Sequence, residues 1–259
     1  MDNKRRIWSN IWPPLAVFSI ILILWQTASS LGYFDHWIIP SPLAIVQEAA
    51  TSWHRIGMHT MASVQLMIFG FLGGAAAGFV IAAALHLMPG VRKGFYPLLI
   101  LSQNVPVIVI GPILTMLFGY TMLPRLLLVM MVCFFPVAVS TLNGLSNTDS
   151  VLRHYLQMIG IGKWKQFWQL ELPHAVIHLF SGLKMAATYS VLSAVIAEWL
   201  GGTNKGLGSF MLLSLKGFMP ERVFASTAII VLISLLMAGL IAWVERMVVR
   251  WQPAAKDRR

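Results

Sequence analysis

The sequence predicts an all-α polytopic membrane protein with six transmembrane helices. Three observations carry that prediction. Of 259 residues, 58% are hydrophobic and 11% charged, whereas a soluble domain carries about a quarter charged residues. Six apolar runs are each long enough to cross a hydrocarbon core of about 30 Å. Lysine and arginine gather at alternate ends of those runs, as orientation in a bilayer requires. Each run has to be helical, because lipid offers no partner to an unpaired amide or carbonyl.

The first run, Ile11–Leu31, follows a basic start at Lys4, Arg5 and Arg6. It is longer than the apolar core of a cleavable signal and ends on the weak cleavage candidate Ala28-Ser29-Ser30, so it reads as a retained span. Tyr33–His59 then reads as an interfacial piece. Ile39-Pro40-Ser41-Pro42 enforces an extended entry, Pro42 suits the first turn of a helix over Leu43–Trp53, and Trp37 and Trp53 suit headgroup level. The second run, Met61–Leu87, carries Gly70, Gly74 and Gly78 on one face, a stripe that lets helices approach closely. Packing within the chain is the favoured reading over contact with a second copy.

The third run, Phe95–Gly119, contains Pro97, Pro106 and Pro112, with Ser102-Gln103-Asn104 before the middle proline. Proline removes amide donors and bends helices, and broken helices present polar groups to cavities in transporters. Gln103 and Asn104 are therefore candidates for lining a translocation path; the competing reading is that they hold the kink. A tight hairpin at Tyr120-Thr121 leads to the fourth run, Met122–Asn143. The fifth, Ala175–Leu200, and the sixth, Val223–Val249, flank a turn-rich segment, Gly201–Arg222. No internal repeat or linker interrupts the chain, so residues 1–259 read as one transmembrane domain.

With the N-terminus inside, Lys4, Arg5, Arg6, Arg92, Lys93, Arg153, Lys163, Lys165, Arg246, Arg250, Lys256, Arg258 and Arg259 fall on the inner side. Arg55, Arg125, Lys205, Lys216 and Arg222 fall on the outer side, and Lys184 lies within a span. This asymmetry puts both termini in the cytoplasm. It also accounts for the net charge of +10, which lies at run ends rather than on one nucleic-acid-binding face. The single cysteine, Cys133, excludes an intramolecular disulfide.

Between the fourth and fifth runs lies a polar, basic insert over about residues 144–174. Leu152–Met158 and Trp164–Leu170 read as short helices broken by Gly160-Ile161-Gly162, with Pro173 ending the second and opening the fifth span. Trp164, Phe167, Trp168 and Leu170 beside Lys163 and Lys165 fit either a membrane surface or a partner's groove. Lys184 and Glu198 read as the ionisable residues most nearly within a span, where a charge costs at least about 2.5–3.5 kcal/mol and usually faces protein or water. Glu198, near the outer end, is read as structural, with Arg222 or Lys205 as possible partners. His174 and His178 share a helix face, but without a third ligand they read as interfacial histidines and no metal is expected. No phosphate loop of the Gly-x-x-x-x-Gly-Lys-Ser/Thr type occurs, nor a Gly-x-Ser-x-Gly elbow, so the chain is not expected to be an enzyme.

The insert resembles the cytoplasmic coupling loop of permease subunits of ATP-binding-cassette importers. That family carries Glu-Ala-Ala, three residues, Gly, nine residues and Ile-x-Leu-Pro; Gly160, Leu170, Leu172 and Pro173 match it in type and spacing. His154, Tyr155 and Leu156 stand where Glu-Ala-Ala would be, which removes the acid of the family's loop. Ile39-Pro40-Ser41-Pro42, Phe134-Phe135-Pro136, Ser181-Gly182-Leu183-Lys184 and Ala197-Glu198-Trp199-Leu200-Gly201 look like the nitrate, sulfonate and taurine permease group, over roughly Ile38 to Trp251. Ser102-Gln103-Asn104-Val105-Pro106 and the stretch Ala194–Gly202 look closest to a branch linked to thiamine-pyrimidine precursors.

The resemblance implies a type I importer permease fold and a cell inner membrane location. It implies an ATP-driven, binding-protein-dependent importer of a small polar or anionic organic solute, such as a thiamine-pyrimidine precursor, sulfonate, taurine or nitrate-like solute. Its partners would be cytoplasmic ATPase subunits, a second permease copy, an external substrate-binding protein and membrane lipid, with no nucleic acid. ATP and Mg would be held by the ATPase, and no cofactor by this chain. Gly160, Gly162, Trp164, Leu170, Leu172 and Pro173 would form the coupling loop; Gln103, Asn104, Lys184 and Glu198 are the path candidates. The rival is an ion-coupled secondary transporter working without an ATPase, for which Lys184 and Glu198 are the coupling groups on offer.

Overall fold

The computed structural model describes residues 2–202 and 204–249, with side chains from Trp12 onward. Thr203, Arg250, Trp251, Lys256, Arg258 and Arg259, and the side chains of Lys4, Arg5, Arg6 and Ile11, lie outside the described residues. Among the described residues the chain is helical and contains no strand. The helices are α1 (Asp2–Ser30), α2 (Pro42–Thr51), α3 (Trp53–Leu87), α4 (Pro89–Ser102), α5 (Val107–Phe118) and α6 (Met122–Ser146). They continue with α7 (Ser150–Met158), α8 (Lys163–Gln166), a π-turn (Phe167–Glu171), α9 (Leu172–Leu200), α10 (Leu207–Lys216) and α11 (Pro220–Val248).

Local chemistry sets most of these boundaries. Ser41 caps α2 by accepting the Ala44 amide at 3.2 Å, and Pro42 occupies the first turn. Gly119 adopts φ +73° between α5 and α6, which makes the short connection there possible. Among the boundaries that differ from the sequence reading, two have a clear local cause. α3 starts at Trp53 rather than Met61, because the polar residues His54, Arg55 and His59 are tolerated where a helix of about 50 Å projects beyond the hydrocarbon. The fifth span is continuous with the insert from Lys163 to Leu200, and Pro173 does not break it. The Leu172 amide reaches back to the Phe167 carbonyl. That widened turn accommodates a ring that would otherwise clash with the preceding helical carbonyls.

Two compact units make up the described chain. In the unit formed by residues up to 58 with 210–229, Arg222 Nε donates to Glu48 Oε1 at 2.7 Å, and Ser52 Oγ donates to the same oxygen at 2.6 Å. The Leu43 amide donates to Gln26 Oε1 at 3.1 Å, and Trp25 packs on Phe224 with centroids 5.9 Å apart.

The unit formed by residues 59–209 with 230 onward holds the core, where Leu66, Met67 and Phe71 of α3, Val129, Cys133 and Val137 of α6, and Ala186, Val191 and Ala194 of α9 are buried together. The glycine stripe faces α6 of the same chain. A Cβ on Gly70 would strike Val129, one on Gly74 the Met130 carbonyl, and one on Gly78 the Phe134 carbonyl oxygen at 2.7 Å. Successive turns of α3 therefore meet successive turns of α6, so these helices run parallel. Conversely, Gly144 faces His178, Gly182 faces Pro136 and Val137, and Cys133 Sγ approaches the Ala186 carbonyl, so α6 and α9 run antiparallel.

That geometry decides what α4 and α5 do. They meet at 99°, which permits either a broken span or a loop returning to its own side. Tyr96 of α4 reaches Asn143 at the end of α6, whereas Gly111 of α5 packs on Leu128 of α6 and Leu200 at the end of α9. Parallel α3 and α6 require the intervening chain to cross back, and α4–α5 carries it across. The pair is the third of six spans. Pro106 supplies the break by lacking an amide; the Asn104 and Val105 amides turn onto Leu101 and Ser102, while Pro97 and Pro112 stay inside helices.

Candidate functional site

The insert is anchored by a residue the sequence reading did not select. Glu171 is 5% exposed. Its Oε2 accepts from His86 Nε2 at 2.8 Å, and its Oε1 accepts from Gln166 Nε2 at 3.1 Å. Arg153 Nε forms an ion pair with Oε1 at 3.1 Å, and Arg153 Nη2 donates to the Leu145 carbonyl at 3.3 Å. A buried carboxylate persists only with charge and hydrogen bonds to replace its hydration. Here α3, α7 and α8 supply them. Glu171 thus brings a carboxylate to the insert from the end opposite His154, and His154 itself bonds the Ser150 carbonyl of its own helix at 2.6 Å. One signal was legible: Glu171 and Asp149 are the only acids over residues 144–174, and Asp149 caps α7 through the Val151 amide.

At its tip the insert exposes apolar surface. Val151, Tyr155, Met158 and Ile159 of α7 and its C-terminal end, with Trp164 and Trp168, are each more than half exposed. Phe167 is buried below them, stacked on Trp164 with centroids 6.1 Å apart. Gly160 has φ +79°, and both Gly160 and Gly162 have open space where a Cβ would lie. Leu170 is partly buried, and Leu172 packs with Leu145 and Ala175.

A cavity of about 320 Å³ opens beside the α4–α5 break. Its wall includes Ser102, Gln103, Met131, Phe135, Met185 and Tyr189. Asn104 is not in that wall; its Nδ2 donates to the Ile100 carbonyl at 3.2 Å and closes the end of α4.

The two intramembrane ionisable residues also separate. Glu198 is 2% exposed, and Arg222, one of the partners expected for it, is held by Glu48. Its Oε1 accepts from Ser63 Oγ and its Oε2 from the Gly208 amide, both at 2.6 Å, while its own carbonyl accepts Ser209 Oγ at 3.1 Å. Ser63 Oγ in turn accepts the Leu207 amide at 2.7 Å. Lys184 pairs with Glu245 of α11, Nζ to Oε2 at 2.5 Å. Glu245 lies inside the sixth apolar run and belongs with the intramembrane ionisable residues, from which the sequence reading omitted it. A lone lysine at that depth signals a counter-charge on a neighbouring span. His174 and His178 stand 6.3 Å apart by ring centroids, and no group of three or more metal-ligating side chains converges among the described residues.

Comparison with known proteins bears on this arrangement. Residues 74–250 match the family described as binding-protein-dependent transport system inner membrane component. A Haemophilus influenzae protein named "Probable ABC transporter permease protein" is 30% identical over 230 residues, 89% of this chain and 94% of its own. The formylaminopyrimidine transport permease protein ThiX of Halalkalibacterium halodurans is 28% identical over 241 residues, 92% of this chain and 95% of its own. Among solved structures, an amino acid ABC transporter crystallised with histidines superposes with a TM-score of 0.64 at 13% identity, over 78% of this chain and 97% of that one. That likeness concerns the fold.

Proposed function

The chain belongs to the family of binding-protein-dependent transport system inner membrane components, and from that premise we propose that it forms the solute path of an ATP-driven importer. Residues 1–259 act as one permease domain, paired with a second copy and lying in the inner membrane with both termini cytoplasmic. The ATPase subunits bind ATP and Mg and dock on the insert over residues 144–174; an external binding protein delivers the solute. The solute is a small polar or anionic organic molecule. Relatedness to a formylaminopyrimidine permease favours a pyrimidine precursor.

The buried Glu171 cluster carries this reading. It ties the insert to α3 through His86 and, through Arg153, ties α7 within the insert to the start of α9, so a push on the exposed tip moves span ends rather than a slack loop. Gly160, Gly162 and Trp164 form the contact surface, while Leu170, Leu172 and Pro173 join it to α9. ATP binding closes the motor, the insert carries that motion inward, and the path opens to the binding protein; hydrolysis resets it. Within the path, Gln103 presents its carboxamide to the cavity and Asn104 holds the break open. Lys184 and Glu198 act as structural charges rather than solute contacts.

Uptake into vesicles tests the proposal. Solute should accumulate only with the ATPase and ATP present. Accumulation driven by a proton gradient without the ATPase would establish the secondary-transporter alternative instead, for which Lys184 and Glu198 are the coupling groups on offer.

A further inference from the structure

A second cavity, of about 340 Å³, lies where the end of α3 and the start of α4 meet the insert, and His86, Arg92, Arg153, Lys163, Gln166 and Glu171 line it. Arg153 is committed to Glu171. Arg92 lies with its guanidinium 5.9 Å from the Tyr96 ring centre, and Lys163 is exposed at the start of α8. With one acid among three permanent cations, the wall is net positive.

Its hydrogen bonding is incomplete: Arg153 Nε, ion-paired with Glu171, makes no hydrogen bond, and two acceptors stand unpartnered. Gln166, 3% exposed, spends its amide on Glu171 and leaves a buried Oε1 without a donor. His86, its side chain 9% exposed, gives Nε2–H to Glu171 and leaves a buried Nδ1 without a partner. In the neutral ring that nitrogen is an acceptor. An unsatisfied buried acceptor costs about 1–3 kcal/mol. The pocket therefore asks for a ligand that is anionic towards Arg92 and Lys163 and donates hydroxyls towards Gln166 and His86. Leu87 and Pro89 also line it, and Met88 between them and Trp164 beside Lys163 are exposed apolar side chains in the adjoining sequence.

We propose that this pocket binds the headgroup of an anionic, hydroxyl-bearing phospholipid of the phosphatidylglycerol type. The phosphodiester sits between Arg92 and Lys163, and the glycerol hydroxyls donate to Gln166 and His86. Basic pockets between span ends on the cytoplasmic side favour such headgroups. The inference rests on the inward orientation proposed above. Lipid bound here would brace the Glu171 cluster at the root of the insert.

The test titrates dihexanoyl phosphatidylglycerol into the purified full-length chain in maltoside detergent, read by tryptophan fluorescence and the thermal midpoint. Saturable binding and a raised midpoint are expected, with no saturation by dihexanoyl phosphatidylcholine. R92Q/K163Q should weaken binding about tenfold or more, whereas R92K/K163R should keep it. Equal binding of the choline lipid, or unchanged affinity in R92Q/K163Q, would overturn the site. Glycerol 3-phosphate or inorganic phosphate binding as tightly as the lipid would overturn the lipid assignment in favour of a soluble anion. Should R92Q/K163Q not fold, Q166L carries the test, since it keeps both cations and should bind several-fold more weakly; unchanged affinity there overturns the hydroxyl contact. Labelling that placed the insert outside would refute the orientation while leaving the binding result intact.

Discussion

Ser63 Oγ donates to Glu198 Oε1 at 2.6 Å between α3 and α9 while accepting the Leu207 amide at 2.7 Å. With the Gly208 amide on Oε2, this makes Glu198 the residue that fixes the start of α10. Glu198→Ala leaves a buried hydroxyl and amide without an acceptor and should cost about 3 kcal/mol of stability. Glu198→Gln, which retains one acceptor, should cost less. Thermal unfolding of both variants in detergent checks this; an unchanged midpoint for Glu198→Ala would remove the anchoring role.

Lys184 and Glu245 form a pair whose members are each a liability alone. Lys184→Met or Glu245→Leu should lower the yield of folded protein, and the double variant should recover most of it. A double-mutant cycle should return a coupling energy on the order of 0.5–3 kcal/mol, the range for residues in contact. Additive single effects would show that the pair is incidental.

Gly160 and Gly162 separate conformation from contact. Gly160 sits at φ +79°, so Gly160→Ala should cost roughly 1–2 kcal/mol through backbone strain. Gly162 has φ −65° and open space around it, so Gly162→Trp should leave the thermal midpoint alone and reduce co-purification of the ATPase. Charge reversal at Lys163 and Lys165 should act in the same direction. Normal ATPase recovery from Gly162→Trp and the charge-reversed variant would detach the insert from coupling.

Glu171 is expected to tolerate Glu171→Gln poorly and Glu171→Ala worse, because Arg153, Gln166 and His86 would lose their common acceptor. Removing one partner of a buried charge cluster costs on the order of 3–5 kcal/mol. Hydrogen exchange should show the loss as faster exchange over residues 150–171. Unchanged protection there would mean that the cluster does not hold the insert.

Glu48 supplies a pH dependence. The Ser52 hydroxyl, then Arg222 and Arg55, hold its carboxyl below the ordinary glutamate value despite an opposing effect of burial. A folded value below the unfolded one means that protons bind the unfolded chain first. The stabilisation is therefore present above about pH 4.5 and lost as pH falls below it. Wild-type protein should lose thermal stability between about pH 5 and pH 3 more steeply than Glu48→Gln. Parallel curves would assign the acid sensitivity elsewhere.

The spans were legible because lipid exacts a simple code: long apolar runs, charged ends, and proline where a helix breaks. Val107–Phe118 and Met122–Ser146 are separated by little more than Gly119 and a Thr121 cap, as the hairpin reading expects. The site was less legible. Gln103 and Asn104 are adjacent and chemically alike, yet one faces the cavity and the other its own helix end, a choice made by how α4 stops. Glu245 was passed over because a charge near a run's end looks like a boundary residue until Lys184 is seen opposite it. Glu171 stands between two leucines, and nothing in its immediate sequence marks it as buried.

By itself, then, the sequence determined the helical class, the apolar runs and the place of the insert, since each depends on hydrophobicity and charge along one segment. The partners of Glu171, Glu198 and Lys184 lie 85, 135 and 61 positions away, on His86, Ser63 and Glu245. No local pattern encodes such distances. Only the packing of separate helices, α3 against α9 and the insert and α9 against α11, brought those groups together, and the parallel packing of α3 on α6 decided that the bent α4–α5 pair carries the chain back past α6.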